Sequence, residues 1–294
     1  MADVTIIGAG RLGTSLGRAL AEAGHTIAAL TCRRGASARE SRKIIGRGRV
    51  FTRNAAAAEK GRLIFLCLPD EEITKEASAL ARTRIDWSGK IVYHTSGLLS
   101  SAALKPLQER GAAVASFHPV QSFPSKNMPP SHFKGVYFGL EGGRRALIPA
   151  KKIVRQLGGR ALIVPAEAKP LYHAACSIAS NSLVVLLDAA VRLLVQAGIG
   201  EQTAGRLLFP LVEGTLQNVK KLDTTASLTG PLARGETAAV KAHLEALRFF
   251  PEISRAYRKL GLVSLEIAAR KGLPPKQIRL LKNLLEDKSP LPQA

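Results

Sequence analysis

Cysteine is scarce, at three in 294 residues. That excludes a disulfide scaffold, which needs a dense set of pairs. Cys32, Cys67 and Cys176 lie in apolar surroundings and form no CxxC pair, so they read as small core residues of a chain kept reduced. His94, His118 and His173 are present, but no HxxxH or CxxC spacing joins them, and no metal is expected. Aromatics are 5% of the chain, and the most basic run, Arg33 to Arg53, holds a single one, Phe51 near its end. That run holds eight Lys/Arg and one acid, Glu40. Single-strand nucleic-acid binding relies on stacking platforms. Helix-turn-helix and zinc-finger patterns are also missing, so no specific nucleic-acid partner is expected.

Acid is short as well: 22 Asp/Glu against 43 Lys/Arg, a net charge of +21. Such a surface draws anionic metabolites. Residues 1–165 hold 26 basic and 11 acidic side chains, and residues 166–294 hold 17 and 11. The opening residues MADVTIIGAG have no basic segment before their apolar run, so no secretory signal is expected there and a cytoplasmic location is. The most apolar stretch, Ala174 to Gly198, is interrupted by Asn181, Asp188 and Arg192. It reads as a buried helix and not as a membrane span.

Hydrophobic residues make up 46% of the chain, ample for a packed core. Short apolar runs punctuate the first half: Val4–Ile7, Ile27–Thr31, Leu63–Leu68, Ile91–Tyr93, Ala113–Phe117, Val136–Phe138 and Ala161–Val164. Segments of helical spacing, such as 12–23 and 73–81, lie between some of them. The alternation predicts an α/β domain, a doubly wound and mostly parallel sheet with helices on both faces. After Pro165 the pattern turns helical, over 167–197, 201–219, 237–247, 251–261, 262–271 and 275–285. The expected division is therefore 1–165 and an all-α 166–294.

Gly8-Ala9-Gly10-Arg11-Leu12-Gly13 follows an apolar strand and opens a helix, the context a dinucleotide fingerprint requires. The first glycine makes the tight turn, the second admits a pyrophosphate to the backbone, and the third lets helix and strand pack closely. An NAD-selective site places an acid at the end of the second strand. Here that end reads Thr31-Cys32-Arg33-Arg34-Gly35-Ala36-Ser37. Arg33, Arg34 and Ser37 suit a 2′-phosphate, so NADP(H) is the expected cofactor. Pro69, Ser96 and Gly97 follow later strands and are expected to flank the same crevice, with His94 and His118 at the nicotinamide side and His118 shaping the substrate pocket.

Lys169, His173, Ser177 and Asn181 are spaced by four on an otherwise apolar helix, so they share one face. Such a stripe faces a cavity or pairs internally. His173 is the expected general acid, because imidazole titrates near neutrality. Asn181 and Ser177 would orient substrate. Lys169 stands just before Pro170, at the helix mouth. In Thr229-Gly230-Pro231-Leu232-Ala233-Arg234-Gly235-Glu236, Arg234 is a candidate for binding a substrate carboxylate.

His94-Thr95-Ser96-Gly97, Phe117-His118-Pro119, Tyr172-His173-Ala174-Ala175, Ser180-Asn181 and the segment 229–236 fall in order along the chain. Together they resemble the Rossmann-like family with a C-terminal domain of unknown function, number 2520. That family is similar to pyrroline-5-carboxylate reductase, ketopantoate reductase and the coenzyme-F420-dependent NADP oxidoreductase. The resemblance implies an N-terminal Rossmann domain, a helical C-terminal domain like that of 6-phosphogluconate dehydrogenase, and a homodimer formed through the helical domain. It also implies a Lys and an Asn four apart on the first long helix, facing the nicotinamide; the nearest positions here are His173 and Ser177, or Ser177 and Asn181. The expectation is thus an NADP(H)-dependent oxidoreductase acting on a small C=O or C=N substrate. NAD(H) and coenzyme F420 stand as alternative cofactors, and a non-catalytic dinucleotide sensor as the alternative function.

Overall fold

The structure is a computed structural model and describes residues 2–286. By backbone contacts the chain falls into two units, Met1–Ser182 and Leu183–Ala294. The first unit holds eight strands: β1 (Asp3–Ile7), β2 (Thr26–Thr31), β3 (Arg49–Val50), β4 (Leu63–Leu66), β5 (Ile91–His94), β6 (Ala113–Pro119), β7 (Tyr137–Gly142) and β8 (Arg160–Ile163). They form one sheet in the order β3-β2-β1-β4-β5-β6-β7-β8. Every pairing is parallel except β6 with β7. The helices of this unit are α1 (Arg11–Glu22), α2 (Gly35–Ile45), α3 (Asn54–Ala58), α4 (Asp70–Ala81), α5 (Lys105–Glu109), α6 (Arg144–Gln156) and α7 (Lys169–Ser177).

Strand alternation builds two cores. Val4, Ile6, Leu63, Phe65, Tyr93 and Phe117 face one side, where Leu16 and Leu20 of α1 and Ile153 of α6 cover them. Ile7, Ile64, Leu66, Val92 and Val114 face the other, against Ile73, Ala77 and Leu80 of α4. Side chains that alternate with period two along buried strands produce this double winding directly. The Tyr93 hydroxyl, buried in the first core, donates to the Ala146 carbonyl at 2.9 Å.

All seven apolar runs become strands, and β3 is an addition inside the basic run. The last run differs from its reading. A buried strand is the expectation there, but β8 is exposed along its length, as the last strand at the sheet's edge.

The second unit is helical: α8 (Leu183–Gln196), α9 (Glu201–Lys221), α10 (Thr224–Ser227), α11 (Pro231–Arg234), α12 (Thr237–Ala246), α13 (Pro251–Arg270) and α14 (Pro275–Glu286). Its core is small: Val240, Leu265, Leu281 and Leu285. The two helices expected over 251–271 are one, α13. Gly261 does not break it, because its bare face receives Leu285 of α14, and a side chain there would collide.

The apolar stretch Ala174–Gly198 is not the buried helix its composition suggests. No residue of α8 is buried, and Ala204 is the one buried residue of α9. Residues Ala166–Gln196 are, by length and composition, apolar enough to cross a bilayer, with a mean hydropathy of 1.8 in their most apolar window. Within this unit α8 packs on α9, and the outward faces of both carry Val, Leu and Phe that stay exposed among the described residues.

Candidate active site

In a parallel sheet of this order, the carboxyl ends of β1, β2, β4, β5 and β6 share one edge. The glycine turn stands at the end of β1. Gly8 has φ +92°, and a Cβ there would run into the Cys67 carbonyl at the end of β4. A Cβ on Gly13 would run into the Gly8 carbonyl. Gly10 is different: the nearest atom to a Cβ is 4.0 Å away. Two glycines are thus required by the protein's own packing, and the third leaves open the face from which a phosphate reaches the helix N-terminus. Arg11 opens α1 and is exposed, and Leu12 packs partly against the core.

At the end of β2, Arg33 and Arg34 are exposed and Ser37 is half-buried in the first turn of α2. Neither arginine forms an ion pair among the described residues. Pro69 ends the β4 segment and caps α4, whose first turn carries Asp70, Glu71 and Glu72. Those residues fit a dinucleotide: an open backbone turn at a helix N-terminus, then two exposed arginines with no ion-pair partner among the described residues.

Beyond β5 and β6 the edge becomes a dense polar cluster. Lys169, the first residue of α7, is completely buried. Its Nζ donates to Ser116 Oγ at 2.7 Å and to the Ser96 carbonyl at 3.3 Å, and lies 5.7 Å from the centre of the Tyr172 ring. Burial pulls its pKa down to about 8, against the attraction of Glu141 and Asp70. The Ser96 hydroxyl accepts from the backbone of Leu98 and Leu99, which commits it to the turn after β5. Gly97 lies under the imidazoles; a Cβ there would come within 2.6 Å of His173 and 2.9 Å of His118.

His118 Nδ1 is hydrogen-bonded to Tyr172 Oη at 2.8 Å, and its ring lies 6.1 Å from that of His173, edge to face. Burial, with the Lys169 charge adding to it, brings the His118 pKa down to about 4. His94 is likewise pushed to about 4, by burial first. The Ser100 carbonyl accepts from His94 Nε2 at 3.0 Å, which leaves Nδ1 as an acceptor with no partner among the described residues. Both rings are therefore neutral at physiological pH, and the cluster's buried positive charge resides on Lys169.

His118, Tyr172, His173, Cys176, Ser177 and Asn181 line a cavity of about 570 Å³. His173, Ser177 and Asn181 of the predicted stripe thus meet, together with His118. The turn 178–182 is π-wound, a local irregularity that recurs at functional sites, and it carries Asn181 into the cavity wall. Arg234 lies in the second unit, where its guanidinium binds Glu236 through Nε at 2.6 Å and Nη2 at 3.0 Å. The left-handed Gly235 between them turns the two side chains together, so the fork expected to hold a substrate carboxylate is filled by a neighbour. Tyr172 and the burial of Lys169 were not anticipated. The adjacent Tyr172-His173 pair was the available signal for the first.

Residues 1–119 match the profile of the Rossmann-like domain family, and residues 136–264 match that of the domain of unknown function DUF2520. Among solved structures, the chain is similar to a Bacteroides fragilis protein provisionally named an NADP oxidoreductase. The identity is 24%, with a TM-score of 0.75, covering 90% of this chain and 98% of that one. A Thermotoga maritima protein matches at 26% identity and a TM-score of 0.67, over 91% of this chain and 99% of its own. A pyrroline carboxylate reductase from Plasmodium falciparum, with NADP bound, matches at 12% identity and a TM-score of 0.59, over 95% and 98%. No curated protein matches the chain.

Proposed function

The chain belongs to the family that joins a Rossmann-like domain to the domain of unknown function DUF2520, and from that premise we propose an NADP(H)-dependent oxidoreductase that reduces a small C=O or C=N substrate. One observation carries the reading. The turn with the open Gly10 face and the cavity walled by His118, Tyr172 and His173 occupy the same carboxyl edge of one sheet. The likeness to a reductase with NADP bound supports it. When bound, the cofactor would supply the hydride. The backbone of Gly8 to Gly13 would hold its pyrophosphate, and Arg33, Arg34 and Ser37 its 2′-phosphate.

The chain's own residues then do the rest. His173, on the cavity wall, holds the proton that the substrate heteroatom takes up. Ser177 and Asn181 orient the substrate by hydrogen bonds. Lys169, behind Tyr172, keeps a positive charge beside a heteroatom that becomes electron-rich, and that charge favours an anionic substrate. The net charge of +21 acts in the same sense at longer range.

The test is a titration with NADPH and NADH, read by nicotinamide fluorescence. Tight NADPH binding with much weaker NADH binding is expected, and Arg33→Ala/Arg34→Ala should weaken NADPH by about tenfold or more while leaving NADH nearly unchanged. Binding of neither cofactor overturns the reading. Steady NADPH oxidation with imine or carbonyl acids separates an enzyme from a dinucleotide sensor.

The expected partner is a second copy of this chain. Val184 and Val185 on α8 and Phe209, Leu211 and Leu216 on α9 are each more than half exposed. Large apolar side chains left this exposed on a packed pair of helices suit an interface. Light scattering behind size exclusion, without detergent, should give a dimer. Val185→Asp/Leu211→Asp should give a monomer with a lower melting temperature. A wild-type monomer at micromolar concentration, or a chain soluble only in detergent, would contradict the pairing.

A further inference from the structure

The segment between β6 and β7 does not return to the sheet by the shortest route. It crosses onto α1 and α2 and is tied down there. The Ser15 hydroxyl donates to the Lys126 carbonyl at 3.2 Å, and Arg18 donates to Asn127 Oδ1 at 2.9 Å. From this strap the Lys126 side chain reaches Ser37, 89 positions earlier in the chain. Its Nζ donates to Ser37 Oγ at 2.5 Å and to the Ser37 carbonyl at 3.3 Å, and pairs with Glu40 at 2.7 Å. The side chain is only 18% exposed, whereas Glu40 is 61% exposed.

The placement is unusual on charge grounds. Arg33 and Arg34 stand immediately before α2, and Ser37 is in its first turn. A third cation brought to this corner repels the other two, and one exposed carboxylate in water offsets little of that. A group that is mostly buried and docked on a hydroxyl, in the first turn of a helix that two exposed arginines precede, makes a field that a dianion satisfies and a neutral sugar does not. We infer that Lys126 is a specificity-determining cation of the ribose end of the dinucleotide site: its ammonium on Ser37 favours a ligand carrying a 2′-phosphate, and Glu40 is the competing counter-charge that this phosphate displaces. The inference rests on the cofactor reading given above. It adds a residue from a distant loop and an acid acting in the opposite direction.

The two signs make the test specific. NADPH and NADH are titrated separately against the full chain and two single variants. Lys126→Met should weaken NADPH by about tenfold and change NADH by less than roughly twofold. Glu40→Gln should tighten NADPH by a few-fold, again without moving NADH. Lys126→Arg, which keeps the charge, should retain the preference. A purely structural strap predicts something else: both variants weaken both cofactors in parallel, with a lower melting temperature in the cofactor-free chain. That result overturns the inference, as does an unchanged NADPH/NADH ratio in Lys126→Met. Wild-type chain that binds neither cofactor, or both equally, overturns the cofactor reading itself, and so the two failures are distinguishable. Should Lys126→Met fold poorly, Glu40→Gln and Lys126→Arg carry the test alone.

Discussion

Lys169→Met is expected to cut turnover by about 100-fold or more while leaving the fold as stable as the parent or more so. The two halves follow from one fact, a lysine with no exposed surface held by two oxygens. Methionine fills nearly the same volume without the cost of burying charge. The oxygens left behind are not orphaned, because Ser116 Oγ still donates to the Ser96 carbonyl at 3.2 Å. What the variant loses is the positive charge behind Tyr172.

The pH dependence separates this from a packing effect. Burial lowers the folded-state pKa of Lys169 from the ordinary 10.5 to about 8. Above pH 8 the folded chain has released this proton and the unfolded chain still holds it, so stability rises with pH between about 8 and 10.5. Below pH 8 both states are charged and the full cost of burial is present. Urea midpoints measured from pH 7 to 10.5 should show this rise in the parent relative to Lys169→Met. The parent's turnover should fall as pH increases through about 8, and the variant's residual activity should lack that limb. Unimpaired turnover in the variant would remove Lys169 from the site; equal pH slopes would remove its buried charge.

The glycine turn should divide into two kinds of position. Gly8→Ala combines a left-handed backbone with a collision against the Cys67 carbonyl, and Gly13→Ala collides with the Gly8 carbonyl. Each is expected to cost about 2–4 kcal/mol, seen as a melting temperature lower by about 6–12 °C. Gly10→Ala has negative φ and open space around its Cβ. Its stability should stay within about 0.5 kcal/mol of the parent, while NADPH binding weakens by about tenfold or more as the methyl takes the space of the approaching pyrophosphate. A Gly10→Ala chain that binds as the parent does would mean the open face is not where the dinucleotide lies.

Much of the first unit was legible residue by residue. Buried strands alternate with period two whatever their neighbours, so Val4–Ile7 or Leu63–Leu66 reads as a strand in isolation. The glycine turn is equally local, since its three demands fall within six residues. Elements with weaker periodic signals did not show. The two-residue β3 and the charged α2 are hidden in the basic run, and α6, rich in Arg and Lys, carries its four buried residues inconspicuously. Gly261 looked like a helix end because its reason for being glycine, Leu285, lies in another helix.

The sequence alone determined seven of the eight strands, the glycine turn, the absence of an acid after β2 and the polar face of the helix bearing His173. Each is written in spacings shorter than a helix or a strand. Tertiary structure decided the rest: that Lys169 is buried on Ser116, 53 residues away, that Lys126 reaches Ser37, and that Arg234 is taken by Glu236. It also decided that the apolar α8 is exposed and not buried. A side chain's burial and partners depend on which elements meet it in space, and that is a property of the whole packed chain, which no local pattern encodes.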